Sequence, residues 1–429
     1  MNRAQSQAYL GHLQRFGIRL GLETIRAILA GLDDPQNRFP GVLVGGTNGK
    51  GSVCAMLAAI LAAAGCRVGL YTSPHLVRVE ERIQVDRRLI PARTLGRLLG
   101  RVRETSEALL AAGRIAAPPT YFEALTAAAF LHFAEQRVDI AVLEVGLGGR
   151  FDATNVVRPL VAAVTSIGHD HQAYLGRTLG RIAFEKAGII KPGVPVVCGL
   201  RPGTTGYAVI RKRAGALDAP FIGAFDLGRL GTPDPSGRFS FRMPGRTYRF
   251  KPSLPGLYQG ENAAVAILVA EELGRIWRPV KKAQVIAGIQ RARWEGRLET
   301  ASRRPLVILD GAHNEEGAAA LATHVRRTLK GRIILVFGVL RDKDIRAMTR
   351  LLFPLAATVI VTRVPNERAA DPATVAALAP AFRGRLVLEP DPRRAVALAR
   401  REAAGKTPVV ITGSLFLVGE IKRLGLFPA

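Results

Sequence analysis

Short apolar runs alternate along this chain with longer segments in which apolar residues recur at helical spacing. The runs typical of buried strands in the N-terminal part are Val42–Val44, Val68–Tyr71, Ile140–Glu144, Leu160–Thr165 and Val194–Cys198. Helical spacing fills the intervals, as in Val53–Ala64, 92–112 and 121–135. Strands that alternate with helices are typical of a mostly parallel sheet, so the pattern predicts an α/β domain.

The same alternation begins again after residue 305. The second set of predicted strands is Leu306–Leu309, Ile333–Phe337, Thr358–Val361, Leu386–Leu388 and Val409–Ile411. Between the two sets, residues 215–255 hold short alternating pieces bounded by Gly and Pro, which indicates a small antiparallel excursion. We therefore expect two α/β domains, residues 1–297 and 298–429, with a hinge at Trp294–Glu299 and a Rossmann-like second sheet.

A glycine-rich turn follows the first predicted strand and opens a helix. It reads Gly45-Gly46-Thr47-Asn48-Gly49-Lys50-Gly51-Ser52. Glycines let several backbone N–H groups point inward, the helix N-terminus attracts anions, and a lysine and a hydroxyl complete a phosphate cradle. The stretch departs from G-x-x-x-x-G-K-[ST], because Val44 replaces the first glycine and Gly51 separates Lys50 from Ser52. The turn therefore predicts a P-loop-type ATPase domain.

Other polar residues follow buried strands, where ligands bind in open α/β sheets. Glu144 ends a strand and precedes a glycine-rich block, which suits a carboxylate that holds magnesium. The remaining strand-end segments are Thr72–Leu76, Ser166–His171, Asp310–Asn314 and Gly338–Asp344. These loops are predicted to surround the site.

Charge and composition exclude several classes. The net charge is +27, yet no run of five basic residues occurs and aromatic residues make up only 6%. This distribution favours anionic small substrates over nucleic acid. Three cysteines form no C-x-x-C pair, the N-terminus has no apolar signal core, and the longest apolar run is 12 residues. We expect a soluble, cytoplasmic protein with reduced thiols.

Several motifs occur together in one order along the chain. They are Gly46–Ser52, Thr72–Leu76, Glu144–Asn155, Asp170-His171, Glu185–Ile189, Asn262–Ala264, Gly296-Arg297 and Asp310–Asn314. In these motifs the chain resembles the folylpolyglutamate synthase/dihydrofolate synthase family of the Mur-ligase superfamily, from about residue 17 to Gly419. The glycine inserted before Ser52 is itself part of this resemblance.

The resemblance implies an ATP-dependent amide ligase that phosphorylates a pterin-linked carboxylate and then joins it to L-glutamate. It places Thr47, Asn48, Gly49, Lys50, Gly51 and Ser52 on the phosphates, with Asn262, Arg297 and Asp310 on the nucleotide. It assigns Mg²⁺ to Ser52, Ser73, Glu144 and His171, and the pterin substrate to Thr120, Tyr121, Phe122, Glu123 and Asp152. It implies catalytic roles for Lys50, His171, Asp310, His313 and Lys186, the last as a carbamylated lysine.

Three other functions are compatible with parts of the sequence. Arg19 lies where some bifunctional members carry Asp near the pterin, so an enzyme with folylpolyglutamate synthase activity only is one alternative. A Mur-type ligase acting on a cell-wall nucleotide precursor is a second, disfavoured because the phosphate loop begins only some 40 residues from Met1. A basic P-loop NTPase that binds nucleic acid is a third. We expect a monomer that binds no nucleic acid and no membrane.

Overall fold

The computed structural model describes residues 1–427, and the chain divides into two compact units. The first unit comprises Met1–Pro74, Val79–Ser253 and Gly260–Ala292. The second comprises His75–Arg78, Leu254–Gln259 and the chain from Arg293 onward. Each unit has its own central sheet.

The first unit contains an eight-stranded sheet in the order β4-β3-β2-β5-β1-β6-β7-β8. Its strands are β1 (Gly41–Gly45), β2 (Val68–Tyr71), β3 (Ile83–Val85), β4 (Arg88–Leu89), β5 (Ile140–Glu144), β6 (Val161–Val164), β7 (Val196–Cys198) and β8 (Phe221–Gly223). All neighbours are parallel except the pairs β2–β3 and β3–β4. A separate three-stranded antiparallel sheet holds β9 (Arg229–Leu230), β10 (Phe239–Met243) and β11 (Arg246–Phe250).

Eleven helices begin in or pass through this part of the chain. They are α1 (Arg3–Gln14), α2 (Glu23–Ala30), α3 (Lys50–Ala63), α4 (Ala92–Ala111), α5 (Tyr121–Glu135), α6 (Gln172–Leu175), α7 (Leu179–Ala187), α8 (Thr205–Gly215), α9 (Ala224–Leu227), α10 (Tyr258–Ile276) and α11 (Lys282–Arg291). Single 3₁₀ turns lie at Pro35–Asn37, Val79–Arg82 and Ala153–Val156.

Helix α3 lies in the interior of the first unit, since its residues from Gly51 to Leu61 are all buried. Helix α11 packs tightly on it: a Cβ added to Gly288 would lie 2.4 Å from Ile60 Cα. The three cysteines, Cys54, Cys66 and Cys198, are buried and unpaired in this unit. The helix that carries Lys50 is thus held firmly by its surroundings.

The second unit contains a six-stranded sheet in the order β12-β13-β17-β14-β15-β16. Its strands are β12 (Glu299–Arg303), β13 (Leu306–Leu309), β14 (Ile333–Phe337), β15 (Ala356–Val361), β16 (Arg385–Leu388) and β17 (Val409–Thr412). Only β12 is antiparallel to its neighbour. The helices are α12 (Glu315–Thr328), α13 (Ile345–Leu352), α14 (Pro372–Ala377), α15 (Pro392–Ala403) and α16 (Leu415–Arg423), with a 3₁₀ turn at Phe353–Leu355.

The predicted α/β class with two mostly parallel sheets and an antiparallel excursion is confirmed. Two local features were not predicted. The hairpin of β3 and β4 was missed because its sequence is largely polar, and Glu299 of the expected hinge begins the edge strand β12. Among residues 1–427, no helix combines the length and the apolar character that crossing a bilayer requires.

Candidate active site

Four polar segments meet at one edge of the first unit's sheet. The strands β2, β5, β1 and β6 are parallel neighbours in that order. Their carboxyl ends lead into Thr72-Ser73, Glu144, the loop of residues 45–52, and residues 165–171. The sheet order therefore brings together segments that lie far apart in the sequence, at the edge where ligands bind in such sheets.

The phosphate loop, residues 45–52, is fastened to the segment after β6. Thr47 N donates to Ser166 O at 2.8 Å, and Asn48 N donates to Ser166 Oγ at 2.9 Å. Gly46 has a φ of 140°, and a Cβ there would lie 2.0 Å from Thr165 Oγ1, so only glycine fits. The sequence did not single out Thr165, although its place directly after a buried strand was a usable signal.

Two lysines converge on the loop. Lys50 Nζ donates to the carbonyl oxygens of Gly46 and Thr47, each at 3.0 Å. Lys186 Nζ, on α7, donates to the same Gly46 oxygen at 2.7 Å, and the Lys186 residue is only 4% exposed. Two cationic side chains from different elements thus reach one carbonyl of a loop whose backbone suits phosphate.

Glu144, Ser52 and Ser73 carry oxygen atoms of the kind that hard metal ions bind, at the edge of the sheet that holds the loop. Glu144 is buried, and its Oε2 accepts a hydrogen bond from Ser73 N at 3.1 Å. Ser52 is buried in the first turn of α3. Among residues 1–427, no three His, Cys, Asp or Glu side chains gather as a metal-binding group. One carboxylate with hydroxyls still fits Mg²⁺, which commonly binds one or two carboxylates together with substrate phosphates.

His171 lies in the segment after β6 with a left-handed backbone, at a φ of 50°. Its Nε2 is 3.9 Å from Asp170 Oδ2, and its backbone N donates to Asp170 Oδ1 at 2.9 Å. The Asp170 carboxylate thus hydrogen-bonds the backbone of His171 and lies close to its ring.

Asn262 of α10 packs against the phosphate loop within the first unit. A Cβ added to Gly49 would lie 2.4 Å from Asn262 Oδ1, and Gly49 has a φ of 85°. Glycine is therefore required at this position both by the backbone and by the amide that faces it. The predicted nucleotide residue Asn262 and the loop are brought together in the structure.

Thr120 and Glu123 form a capping box at the start of α5. Thr120 N donates to Glu123 Oε2 at 2.7 Å, and Glu123 N donates to Thr120 Oγ1 at 3.3 Å. Phe122 packs on Gly146, where a Cβ would lie 2.6 Å from its ring, and Arg82 lies over the Tyr121 ring at 5.2 Å. Thr120 and Glu123 thus have a structural function as helix caps, independent of any substrate.

Asp152 begins the 3₁₀ turn of residues 153–156. Its Oδ1 accepts hydrogen bonds from Thr154 N at 3.0 Å and Thr154 Oγ1 at 2.6 Å, and its Oδ2 accepts from Leu147 N at 2.9 Å. Burial raises the pKa of Asp152, and these hydrogen bonds oppose the increase. The carboxylate organises the glycine-rich block that follows Glu144.

In the second unit, Arg297, Asp310 and His313 lie near one another at one end of the sheet. Asp310 Oδ2 accepts from Leu298 N and its Oδ1 from Ala312 N, both at 2.9 Å. His313 Nδ1 is 2.8 Å from Gly311 O, and a Cβ on Gly311 would lie 2.5 Å from Arg297 Nη1. Burial raises the pKa of Asp310, and Arg297 is the main opposing influence.

Comparison with known proteins agrees with this geometry. The Mur ligase middle domain matches residues 44–197, and the glutamate ligase domain of Mur ligases matches residues 296–415. The dihydrofolate synthase/folylpolyglutamate synthase of Bacillus subtilis is 36% identical over 422 residues, which cover 95% of this chain and 96% of the relative. The chain belongs to the dihydrofolate synthase/folylpolyglutamate synthase family of Mur ligases.

Solved structures of this family superpose on the chain over almost its whole length. Escherichia coli FolC in complex with DHPP and ADP has a TM-score of 0.89 and 30% identity, covering 99% of this chain and 98% of that one. The Yersinia pestis bifunctional enzyme with AMPPNP and a Mn ion has a TM-score of 0.86 and 31% identity, covering 99% and 98%. Like its family, the chain is an ATP-dependent ligase that uses a divalent metal.

Proposed function

We propose that this enzyme adds L-glutamate to the carboxylate of dihydropteroate and of reduced folates through an acyl phosphate. The observation that carries the proposal is the convergence of Lys50 and Lys186 on the phosphate loop beside the buried Glu144. Family membership over nearly the full chain supports the same reaction. Substrate chemistry agrees with it as well, because a carboxylate is a poor electrophile until phosphorylation gives it a leaving group.

The first step is transfer of the γ-phosphoryl group to the carboxylate. A carboxylate oxygen forms a bond to phosphorus, and the bond from phosphorus to the ADP oxygen breaks. Both reactants are anions, so cations must offset the charge in the transition state. The backbone of residues 47–52 would hold the phosphates, and Lys50 would neutralise the terminal ones. Asn262, which faces Gly49, would contact the nucleotide from α10.

We propose Mg²⁺ as the metal, held by Ser52, Ser73 and Glu144, with His171 on a second ion. Bound magnesium supplies positive charge to the triphosphate oxygens. The chain's own contribution is orientation: Ser73 N fixes one oxygen of Glu144 at 3.1 Å, and Asp170 fixes the backbone of His171 at 2.9 Å. A carboxylate held in this way presents its remaining lone pairs in a constant direction.

Lys186 is proposed to carry a carbamate. The ammonium first loses a proton; the neutral amine then attacks carbon dioxide, an N–C bond forms as one C=O π bond opens, and a second proton leaves, so a cation becomes an anion. The carbamate nitrogen keeps one N–H, which is compatible with the 2.7 Å hydrogen bond to Gly46 O. An anionic oxygen near the metal site suits Mg²⁺, whereas a free ammonium would repel it.

The second step joins the amine of L-glutamate to the acyl carbon. The N–C bond forms, the C–O bond to phosphate breaks, and the amine loses a proton. We assign residues 298–429 as the glutamate-ligase domain, with Asp310 and His313 in catalytic roles, and residues 1–297 as the ATP-binding domain. Arg297 and Asp310 are proposed to bind the nucleotide. The match of the Mur ligase C-terminal family to residues 296–415 supports this division.

The pterin part of the substrate is proposed to contact Tyr121, Phe122 and Asp152, with Thr120 and Glu123 positioning them. Support comes from the capping box, which holds the two aromatic residues at the first turn of α5. Arg19 bears on the choice of substrate: it donates to Pro118 O, close in sequence to the start of α5. If Arg19 disfavours dihydropteroate, the enzyme extends reduced folates only.

The test is ADP release with L-glutamate and one acceptor at a time: dihydropteroate, tetrahydrofolate or single-stranded DNA. Stimulation by both pterin acceptors, with product mass increased by one glutamyl residue, is the expected result. Stimulation by tetrahydrofolate only would favour the single-activity alternative. DNA-stimulated hydrolysis that needs no glutamate would overturn the ligase assignment. We further propose a cytoplasmic monomer that needs no nucleic acid or membrane.

A further inference from the structure

Four basic residues lie on neighbouring segments at the edge of the first unit's sheet that is opposite the phosphate loop. Lys191 precedes β7, Arg158 precedes β6, Arg26 lies on α2, and Arg213 lies in the last turn of α8. Lys191 is half-buried and the three arginines are exposed. We call these four residues the basic cluster.

Backbone carbonyls hold two members of the basic cluster, Lys191 and Arg158, in place. Lys191 Nζ donates to Asn155 O at 3.0 Å, and Arg158 Nη2 donates to Pro192 O at 2.9 Å. Gly193 N donates to Leu217 O at 3.0 Å, which ties the turn after Lys191 to the segment following α8. The acceptors are uncharged, so these contacts position the cations without neutralising them.

The four residues of the basic cluster form no ion pair with a carboxylate in the described part of the chain. Within residues 1–427, no carboxylate oxygen lies within 4.0 Å of a charged nitrogen of these four residues. Burial, followed by the charges of Arg26, Arg158 and Arg213, lowers the pKa of Lys191 to about 8. Four like charges held together in this way are unfavourable until an anion binds among them.

We propose that the basic cluster is a binding site for a multivalent oxyanion, distinct from the ATP site. Guanidinium groups match the geometry of phosphate or carboxylate oxygens, and the half-buried ammonium of Lys191 adds a less hydrated charge. The strands β1, β6 and β7 are parallel, so the site and the phosphate loop lie at opposite strand ends, about 15 Å apart along strands of this length.

The ligand chemistry is a chain of closely spaced anionic oxygens, which can come from two sources. One is a polyphosphate group, and the other is a row of γ-linked glutamate carboxylates. Anion binding at the basic cluster is independent of the ligase reaction, because it is measured without turnover. A failure of the site would leave the proposed function untouched.

Calorimetric titration tests the proposal, with a non-hydrolysable ATP analogue in excess to fill the phosphate loop. Tripolyphosphate and tetra-γ-glutamate are the two probes, used separately. The cluster variant is Arg26→Gln/Arg213→Gln, and the matched control is Arg114→Gln/Lys212→Gln, which removes the same charge from exposed positions of the same unit. At least one probe should bind the parent and the control with equal affinity, and the cluster variant about tenfold or more weakly.

Amine acylation at pH 8 gives a second readout, followed at Lys191 by peptide mass spectrometry. A bound anion stabilises the ammonium form, so the active probe should slow acylation of Lys191 in the parent and the control. In the cluster variant, acylation without the probe should be slower than in the parent, because two of the charges that lower the pKa of Lys191 are gone, and the probe should change it much less. The probe that binds identifies the source. Binding of neither probe, or equal binding by the cluster variant and the control, overturns the proposal.

Discussion

Lys50 Nζ donates to backbone carbonyls of its own loop, at Gly46 and Thr47, and the residue is only partly buried. Its substitution therefore removes charge without opening a cavity in the core. We expect Lys50→Ala to lower kcat/KM by at least about 100-fold, because losing a cation directed at the transferred phosphoryl group costs ~3 kcal/mol. The melting temperature should remain close to that of the parent. The exposed Lys212→Ala is the control, and turnover of Lys50→Ala within tenfold of the parent would argue against the assigned role.

Lys186 allows a chemical rescue experiment. Lys186→Ala should lose most activity, and acetate or formate should restore part of it by occupying the place of the carbamate oxygens. Lys186→Arg should not respond to either anion, because it keeps a positive charge beside the metal site. Activity is measured as ADP release over a range of formate concentrations. Full activity of Lys186→Ala without any added carboxylate would contradict carbamylation.

At the scale of single elements, α5 carries an unusual buried histidine near its end. His132 is 4% exposed, and its Nδ1 has no hydrogen-bond partner among the residues that the structure describes, 1–427. Burial lowers its pKa; Glu135 acts against this, whereas Arg97 and Arg67 add to it. Because the folded-state pKa lies below the ordinary 6.5, the neutral form is compatible with the fold and the protonated form is not.

The consequence is a loss of stability in acid. Above pH 6.5 the histidine is neutral in both states, and as the pH falls below this value the unfolded chain takes up a proton first. The free energy of unfolding should therefore decrease from pH 7 to pH 5 more steeply in the parent than in His132→Leu. Urea unfolding at several pH values measures this difference. Parallel pH profiles for the two proteins would show that His132 does not contribute.

The elements themselves were largely predictable where the sequence is continuously apolar. Ile140–Glu144 and Ile333–Phe337 have the predicted bounds, because a strand buried on both faces leaves little ambiguity. The order of strands could not be predicted, since it depends on crossovers between distant segments. The convergence of Lys186 on Gly46 and the basic cluster around Lys191 depend on that order.

In the candidate site, too, some features can be read from residues close together in the sequence, and others cannot. The Thr-x-x-Glu spacing of Thr120 and Glu123 is a capping signal that can be read from the sequence, and the structure contains that capping box. Family resemblance instead associates these residues with the substrate. Both functions are compatible, because a helix cap can hold the neighbouring Tyr121 and Phe122 in position.

For the whole molecule, the net charge of +27 should appear in the binding of its anionic substrates. A positive field increases association of ATP, and salt screens it over roughly 8–10 Å near physiological ionic strength. We expect KM for ATP to rise markedly between about 50 and 300 mM NaCl, with kcat changed less. L-glutamate, with one net negative charge, is the internal control, and its KM should rise less steeply with NaCl concentration. An equal rise in KM for both substrates would indicate that the positive field does not promote ATP binding.

The alkylation rates of the three buried thiols report how often the surrounding structure opens locally. Cys54, Cys66 and Cys198 are all buried in the first unit, and burial raises the pKa of each. An alkylating reagent can reach them only while the surrounding structure is transiently open. Because Cys54 lies one turn from the phosphate loop on α3, a nucleotide bound there should slow its alkylation in proportion to binding strength. The second unit holds no cysteine, so alkylation reports on opening of the first unit alone.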